Sequence, residues 1–293
     1  MFSAEQQLQY KASLKHPDVE ETIDLWFYRP VGFMLALLGQ KMRWTPNQIT
    51  ITSIFLGIAC GVLLYPQSLW INLAGMLLLV VADVCDSADG QLARLTQQYS
   101  QLGRILDGAA GDFWFVAIYV SLCLRLMPEW GIWCWVLAIA AGASHSTQSA
   151  MADYYRQFHL LCVKGRDGSE LDDAKDVALQ YEQLRFSSDP ARKVFLWFYR
   201  NYTKTQEFFT PQLQRLRRVA FDGVSIRPKT RPLMPIANIL TFNWRAITLF
   251  FGVVIGQPWI YWVMEITLFN LLALFMVWRH ENICKDAFDS LAR

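Results

Sequence analysis

The chain has 293 residues, of which 54% are hydrophobic and 18% charged, with a mean hydropathy of +0.20 and a formal net charge of +2. With twelve Trp and nineteen Phe, that balance describes a polytopic membrane protein and excludes a large soluble core. The six cysteines lie mostly inside apolar runs with no Cys-x-x-Cys pair, which argues against a disulfide framework or a zinc site.

The first residues lack a basic start followed by an apolar core, so no cleavable signal peptide is expected. Residues 23–41 mix aromatics with Arg29 and Lys41 and are interrupted by Pro30 and Gly32. They are expected to form an interfacial amphipathic helix, a short extra span being the alternative. Thr45-Pro46 reads as an N-cap followed by proline in the first helical turn. Six apolar segments then follow at about 48–65, 69–85, 106–126, 130–151, 236–255 and 259–278, each long enough, or nearly so, to span a bilayer. The fold class is therefore an all-α membrane protein. Its organisation is an N-terminal segment 1–47, four spans in 48–158, a helical connection 159–234, and two spans with a tail in 235–293.

Connections on one side, around Tyr65–Trp70 and Gly256–Trp259, carry no charge. The other side holds Lys11, Lys15, Arg29, Lys41 and Arg43, then Arg94 and Arg104, a basic excess in 159–234, and Arg279 and Lys285. The positive-inside rule places that side, with both termini, in the cytoplasm. Aromatic clusters beside Arg192, Lys193 and Arg200 in the long connection suit helices on an anionic leaflet.

Chemistry concentrates in Asp86-Ser-Ala-Asp89-Gly90-Gln-Leu-Ala93-Arg94, followed by Gly103-Arg-Ile-Leu-Asp107 and Gly111-Asp112. Carboxylates in apolar segments are expensive and need a cationic partner. On a helix, Asp86, Asp89, Gly90 and Ala93 share one face. Together with Asp107 they form an oxygen-rich set suited to Mg²⁺ or Mn²⁺, and the small residues let a phosphorylated ligand approach the backbone.

This pattern, Asp-x-x-Asp-Gly-x-x-Ala-Arg, eight residues, Gly, three residues, Asp, resembles the signature of the CDP-alcohol phosphotransferases without a gap from Asp86 to Asp107. Thr45-Pro46-Asn47-Gln-Ile-Thr50 is similar to the segment opening that family's first span. The resemblance implies transfer of a phosphoryl-linked group from a CDP-alcohol, such as CDP-diacylglycerol, to an acceptor alcohol or alcohol phosphate, with loss of CMP. It implies Asp86, Asp89 and Asp107 as ligands of one or two Mg²⁺ or Mn²⁺ ions. Asn47, Thr50, Gly90, Ala93, Arg94 and Gly103 become candidates for the nucleotide site. Asp83, one turn before Asp86, is expected to contact nucleotide or to support the ligands. A homodimer in a bacterial inner membrane, with no nucleic-acid partner, is the expected setting.

One departure concerns the fourth carboxylate. The family pattern places it four residues after the third, at Gly111, whereas the acid here is Asp112. A regular helix turns Asp112 about 100° from the expected direction. A one-residue π-bulge between Asp107 and Asp112, eased by Gly108 and Gly111, would restore it as a metal ligand and proton acceptor; the alternative is a plain polar residue. Elsewhere, His145 suits a buried hydrogen-bonded role and Arg245 a buried rather than lipid-facing one, while Asp153 and Arg156 could pair or meet the acceptor. Two rival functions remain in view: a Mg²⁺-dependent membrane prenyltransferase and a non-enzymatic cation transporter.

Overall fold

A computed structural model describes residues 3–99, 101–165, 169, 171–186 and 189–291, apart from the side chains of 101, 102, 104, 105 and 191. Arg104, counted above in the basic flank, therefore has its side chain outside the described set. Among the described residues the chain is helical, with no strand. The α-helices are α1 Ala4–Ser13, α2 Arg29–Lys41, α3 Pro46–Leu64, α4 Leu69–Thr96, α5 Gln101–Trp130, α6 Trp133–Lys164, α7 Ala174–Gln183, α8 Pro190–Phe209, α9 Pro211–Arg217, α10 Gly223–Thr230, α11 Met234–Ile239, α12 Phe242–Val254, α13 Ile260–Met264 and α14 Asn270–Leu291. π-Helical turns at Asp24–Tyr28 and Glu265–Phe269 lead directly into α2 and α14.

Among the described residues, five helical runs are long and apolar enough to cross a membrane: Pro46–Leu64, Leu69–Thr96, Leu106–Trp130, Gly223–Val254 and Ile260–Leu291. The expected fourth span falls in α6, which is long enough but outside that set. Ser144-His145-Ser146-Thr147-Gln148 dilutes the hydropathy of its middle.

The chain divides into two compact units, Met1–Gly142 with Phe242–Met264, and Ala143–Thr241 with Glu265–Arg293. In the first, α3 packs against both α4 and α5, and α2 against α4. The α3–α5 contact depends on absent side chains. A Cβ at Gly57 would collide with the indole of Trp114, and one at Gly61 would lie 2.7 Å from the carbonyl carbon of Ala117. Glycines one turn apart let helix backbones approach closely where hydrophobic burial gives little drive, because lipid is equally apolar. At the far end of these helices Asn72 donates to the carbonyls of Leu63 (2.8 Å) and Pro66 (2.9 Å). Arg125 donates to Leu64 O (3.1 Å) and to Asn72 Oδ1 (2.7 Å), so the last carbonyls of α3 are satisfied by side chains.

The start of α3 is built as its sequence suggests. Thr45 Oγ1 accepts from the Gln48 amide and Gln48 Oε1 accepts from the Thr45 amide, a capping box with Pro46 in the first turn. Residues 29–41 are helical despite Pro30, whose missing amide hydrogen falls where the π-turn Asp24–Tyr28 passes into α2. Arg29, Gly32, Phe33, Ala36 and Gly39 form its buried face, while Met34 and Leu38 point outward.

In the second unit, buried Gln148 donates to Glu265 O and Asn270 Oδ1 (2.8 Å each), and Asn270 donates to Ser144 Oγ (3.0 Å). His145 Nδ1 lies 3.6 Å from Glu265 Oε1, in keeping with a buried, partnered histidine. Glu281 accepts from the amides of Gln212 and Leu213 at the start of α9. Asp153 accepts from the Tyr202 hydroxyl at 3.2 Å. Arg245, in the first unit, is 1% exposed and so does not face lipid.

The Gly61 contact makes a direct prediction. Gly61→Val should separate α3 from α5 and lower the thermal midpoint in detergent, since overpacking costs about 1–3 kcal/mol. Gly142→Ala, whose nearest neighbour would be a Tyr119 ring carbon at 3.8 Å, should leave the midpoint unchanged.

Candidate active site

The last third of α4 and the first third of α5 converge on three carboxylates. One oxygen from each of Asp86, Asp89 and Asp107 lies within 4.8 Å of the other two. Asp86 and Asp89 stand one turn apart on α4, and α5 brings Asp107 across because glycines hold both helices against α3. Asp89 is buried and accepts from the Thr50 hydroxyl at 2.5 Å. Thr50 thereby fixes one carboxylate oxygen from α3, while Asn47, one turn earlier, is half-buried at the start of the same helix. The donor set is all hard oxygen, which matches Mg²⁺ or Mn²⁺ rather than a thiolate-seeking metal. The residues present therefore fit such an ion.

Arg94 is fastened by Nε to the carbonyl oxygen of Ser13 at 2.6 Å, and its buried Nη2 has no hydrogen-bond partner among the described residues. A Cβ at Gly90 would lie 3.4 Å from that same Nη2, so Gly90 leaves room for the guanidinium to lie along the helix. Ala93 and Gly103 are half-buried on α4 and α5.

Asp83, half-buried one turn before Asp86, faces a second group of charges. Asp86, Asp24, Arg29 and Glu21 are its electrostatic neighbours. Asn243 donates to Glu21 Oε2 (2.9 Å) and Asp24 Oδ1 (2.7 Å), tying α12 to this group. Burial, then the charges of Asp83, Asp24 and Glu21, hold the Tyr28 phenol well above its usual range, so it stays protonated and remains a donor.

The N-terminal segment is the part of the site that sequence reasoning missed. Buried Arg29 donates from Nε to Glu20 Oε2 and from Nη1 to Ser87 Oγ, both at 3.1 Å, and Gln91 donates to Ser13 Oγ and Arg29 O at 3.2 Å. The cations acting on Asp86 are Lys15 and Arg29; those acting on Asp107 are Lys15, Arg94 and Arg29. Lys15 and Arg29 entered the sequence reading only as orientation charges, since nothing local links them to residues about seventy positions later.

The expected π-bulge between Asp107 and Asp112 does not form. α5 is a continuous α-helix from Gln101 to Trp130, because each of its turns keeps ordinary i→i+4 bonding without an inserted residue. Asp112 is therefore turned about 140° from Asp107 and is not one of the three converging carboxylates. Gly111 and Gly108 occupy the intervening directions, at about 40° and 100°. A Cβ on either would meet nothing within 4 Å among the described residues, and Asp107 and Asp112 are both exposed. The face of α5 between the two acids is thus open at Gly108 and Gly111.

Comparison with known proteins bears on this arrangement. Residues 43–156, which hold α3, α4, α5 and most of α6, match the family model described as CDP-alcohol phosphatidyltransferase. The chain is also 28% identical over 136 residues to a protein named bifunctional IPC transferase and DIPP synthase from Aquifex aeolicus (strain VF5). That match covers 42% of this chain and 31% of the relative, so the chain spans about a third of the relative's length. All eleven residues singled out in the motif analysis, Asn47 to Asp112, lie within the matched segment; Lys15 and Arg29 lie outside it.

Because Thr50 holds Asp89, Thr50→Val should weaken Mn²⁺ binding about tenfold, the scale of one lost charge-assisted hydrogen bond, while Thr50→Ser should stay near wild type. Titration of purified protein with Mn²⁺, followed by electron paramagnetic resonance of the free ion, checks both.

Proposed function

We propose that the protein is a divalent-metal-dependent phosphotransferase that displaces CMP from a CDP-alcohol, the donor being CDP-diacylglycerol, with an acceptor alcohol or alcohol phosphate. The convergence of Asp86, Asp89 and Asp107 inside the matched segment carries this reading. The three carboxylates hold Mg²⁺ or Mn²⁺, which supplies charge neutralisation of the diphosphate. Asn47, Gly90, Ala93 and Gly103 leave space for the nucleotide, and Thr50 and Asp83 support the carboxylates. The acceptor hydroxyl attacks the phosphorus remote from cytidine, the bond to CMP breaks, and the hydroxyl proton passes to Asp112.

The carboxylates lie towards one end of α4 and α5, and the charge pattern of the connections puts that end in the cytoplasm. An ion path would bury such groups near the midplane, so the transporter reading is disfavoured, and the Gly-x-x-Ala-Arg continuation after Asp89 disfavours a prenyltransferase. α6 is proposed as the sixth span, its polar middle covered by Glu265 and Asn270.

The test is release of radiolabelled CMP from CDP-diacylglycerol in nanodiscs, with a panel of acceptor alcohols and alcohol phosphates and with Mn²⁺ present or chelated. Metal-dependent release with at least one acceptor is expected; release with none, or release indifferent to chelation, contradicts the proposal. Asp86→Asn or Asp107→Asn should reduce turnover by at least a thousandfold while the protein still inserts. Asp112→Ala should lower kcat by about 10²–10⁴, the range of a general base, with affinity for CDP within about threefold of wild type. Near-normal turnover in Asp112→Ala would remove it from the reaction.

A further inference from the structure

The N-terminal segment precedes the matched segment, yet it is laid across the motif itself. It is pinned at three atoms, two of the backbone and one of a side chain. Ser13 O accepts from Arg94 at 2.6 Å and Ser13 Oγ from Gln91 at 3.2 Å. The Lys15 amide donates to Glu20 Oε1 at 2.8 Å, and Glu20 is itself held by Arg29, which reaches Ser87 on α4. Ser13 is fully buried and Val19 nearly so. The turn from Ser13 to Glu20 is therefore a strap tied to α4 between Ser87 and Arg94, the stretch that carries Asp89 and Gly90.

Lys15 sits on this strap with an exposed side chain. Of the cations acting on Asp86 and on Asp107, Lys15 is the foremost for both. Its four-carbon stem is flexible and its ammonium offers three donors, so it can change partners without moving the strap. Two residues earlier on the strap, Ser13 O takes the Arg94 Nε, and the buried Nη2 of the same guanidinium has no hydrogen-bond partner among the described residues. Arg29 differs, since its charge is taken up by Glu20 at 3.1 Å and Asp24 at 4.0 Å. When a divalent ion takes the carboxylates, the Lys15 ammonium is released to solvent or to another anion, and a nucleoside diphosphate ester brings one to the same place.

We propose that Lys15 is a phosphate-binding residue, held by the Ser13–Glu20 strap against the motif helix so that its ammonium pairs with a non-bridging oxygen of the donor's diphosphate. The inference rests on the phosphotransferase reading of the same site and adds to it a binding group from outside the matched segment. It also gives the N-terminal segment a role in donor affinity beyond membrane orientation.

The experiment is calorimetric titration of the full chain in nanodiscs of zwitterionic lipid with Mn²⁺ alone, and with CDP at saturating Mn²⁺. Lys15→Met should weaken CDP binding about tenfold or more, the scale of one charge-assisted hydrogen bond. It should leave Mn²⁺ binding equal or tighter, since a positive charge beside the carboxylates is gone. Lys15→Arg should keep CDP affinity within about threefold. Unchanged CDP affinity in Lys15→Met with tighter Mn²⁺ binding would make Lys15 a counter-ion of the carboxylates and overturn the inference, leaving the phosphotransferase reading intact. Failure of the wild-type protein to bind CDP with Mn²⁺ would overturn both. Because Lys15 is exposed, its loss should lower the ligand-free thermal midpoint only slightly, on the order of 1–2 °C in Lys15→Met and not at all in Lys15→Arg. A Lys15→Met midpoint lowered beyond that, together with Mn²⁺ affinity, would mark Lys15 as structural and also overturn it.

Discussion

Three carboxylates at the ends of two apolar helices are tolerable only if other groups compensate them, and most of the first unit can be understood as that compensation. Asp89 takes the Thr50 hydroxyl from α3. Asp86 and Asp107 share Lys15 and Arg29, and Asp107 has Arg94 in addition. Each compensating group needs an anchor of its own, so Glu20, Ser87, Ser13 and Gln91 are drawn in behind them. The outcome is a polar seam between the N-terminal segment and α4. Three acidic oxygens still face one another within 4.8 Å, and a divalent cation relieves that repulsion.

The seam depends in turn on close helix approach. Asp107 can meet Asp86 and Asp89 only if α5 and α4 both lie tight against α3, which the missing side chains at Gly57, Gly61 and Gly75 permit. Arg125 and Asn72 lock the opposite ends of the same helices. Packing at one end and electrostatics at the other are therefore a single design. A loosened α3–α5 contact would be felt first as a displaced Asp107.

Local features of this arrangement were legible in the sequence, and long-range ones were not. The capping box at Thr45, the i, i+3 alignment of Asp86 with Asp89, and five strongly apolar runs follow from periodicity and cap chemistry within a few residues. The strap was not legible, because Lys15 and Asp86 are 71 positions apart and charge on a tail has no period. The π-turns at 24–28 and 265–269 also left no pattern in composition. The bulge expected before Asp112 failed for a different reason. It was introduced to reconcile a one-residue offset with a ligand position, whereas glycines at 108 and 111 open the helix face without disturbing its hydrogen bonds. Asp112 therefore stands apart from the three converging carboxylates.

The central claim is that Asp86, Asp89 and Asp107 together hold a divalent cation on which the donor's diphosphate is placed. The most direct measurement is a structure of the protein with Mn²⁺ and CDP, using anomalous scattering at the manganese edge. The account predicts anomalous density among these three carboxylates with the diphosphate adjoining it. Manganese bound elsewhere, or a diphosphate bound away from all three, would contradict it.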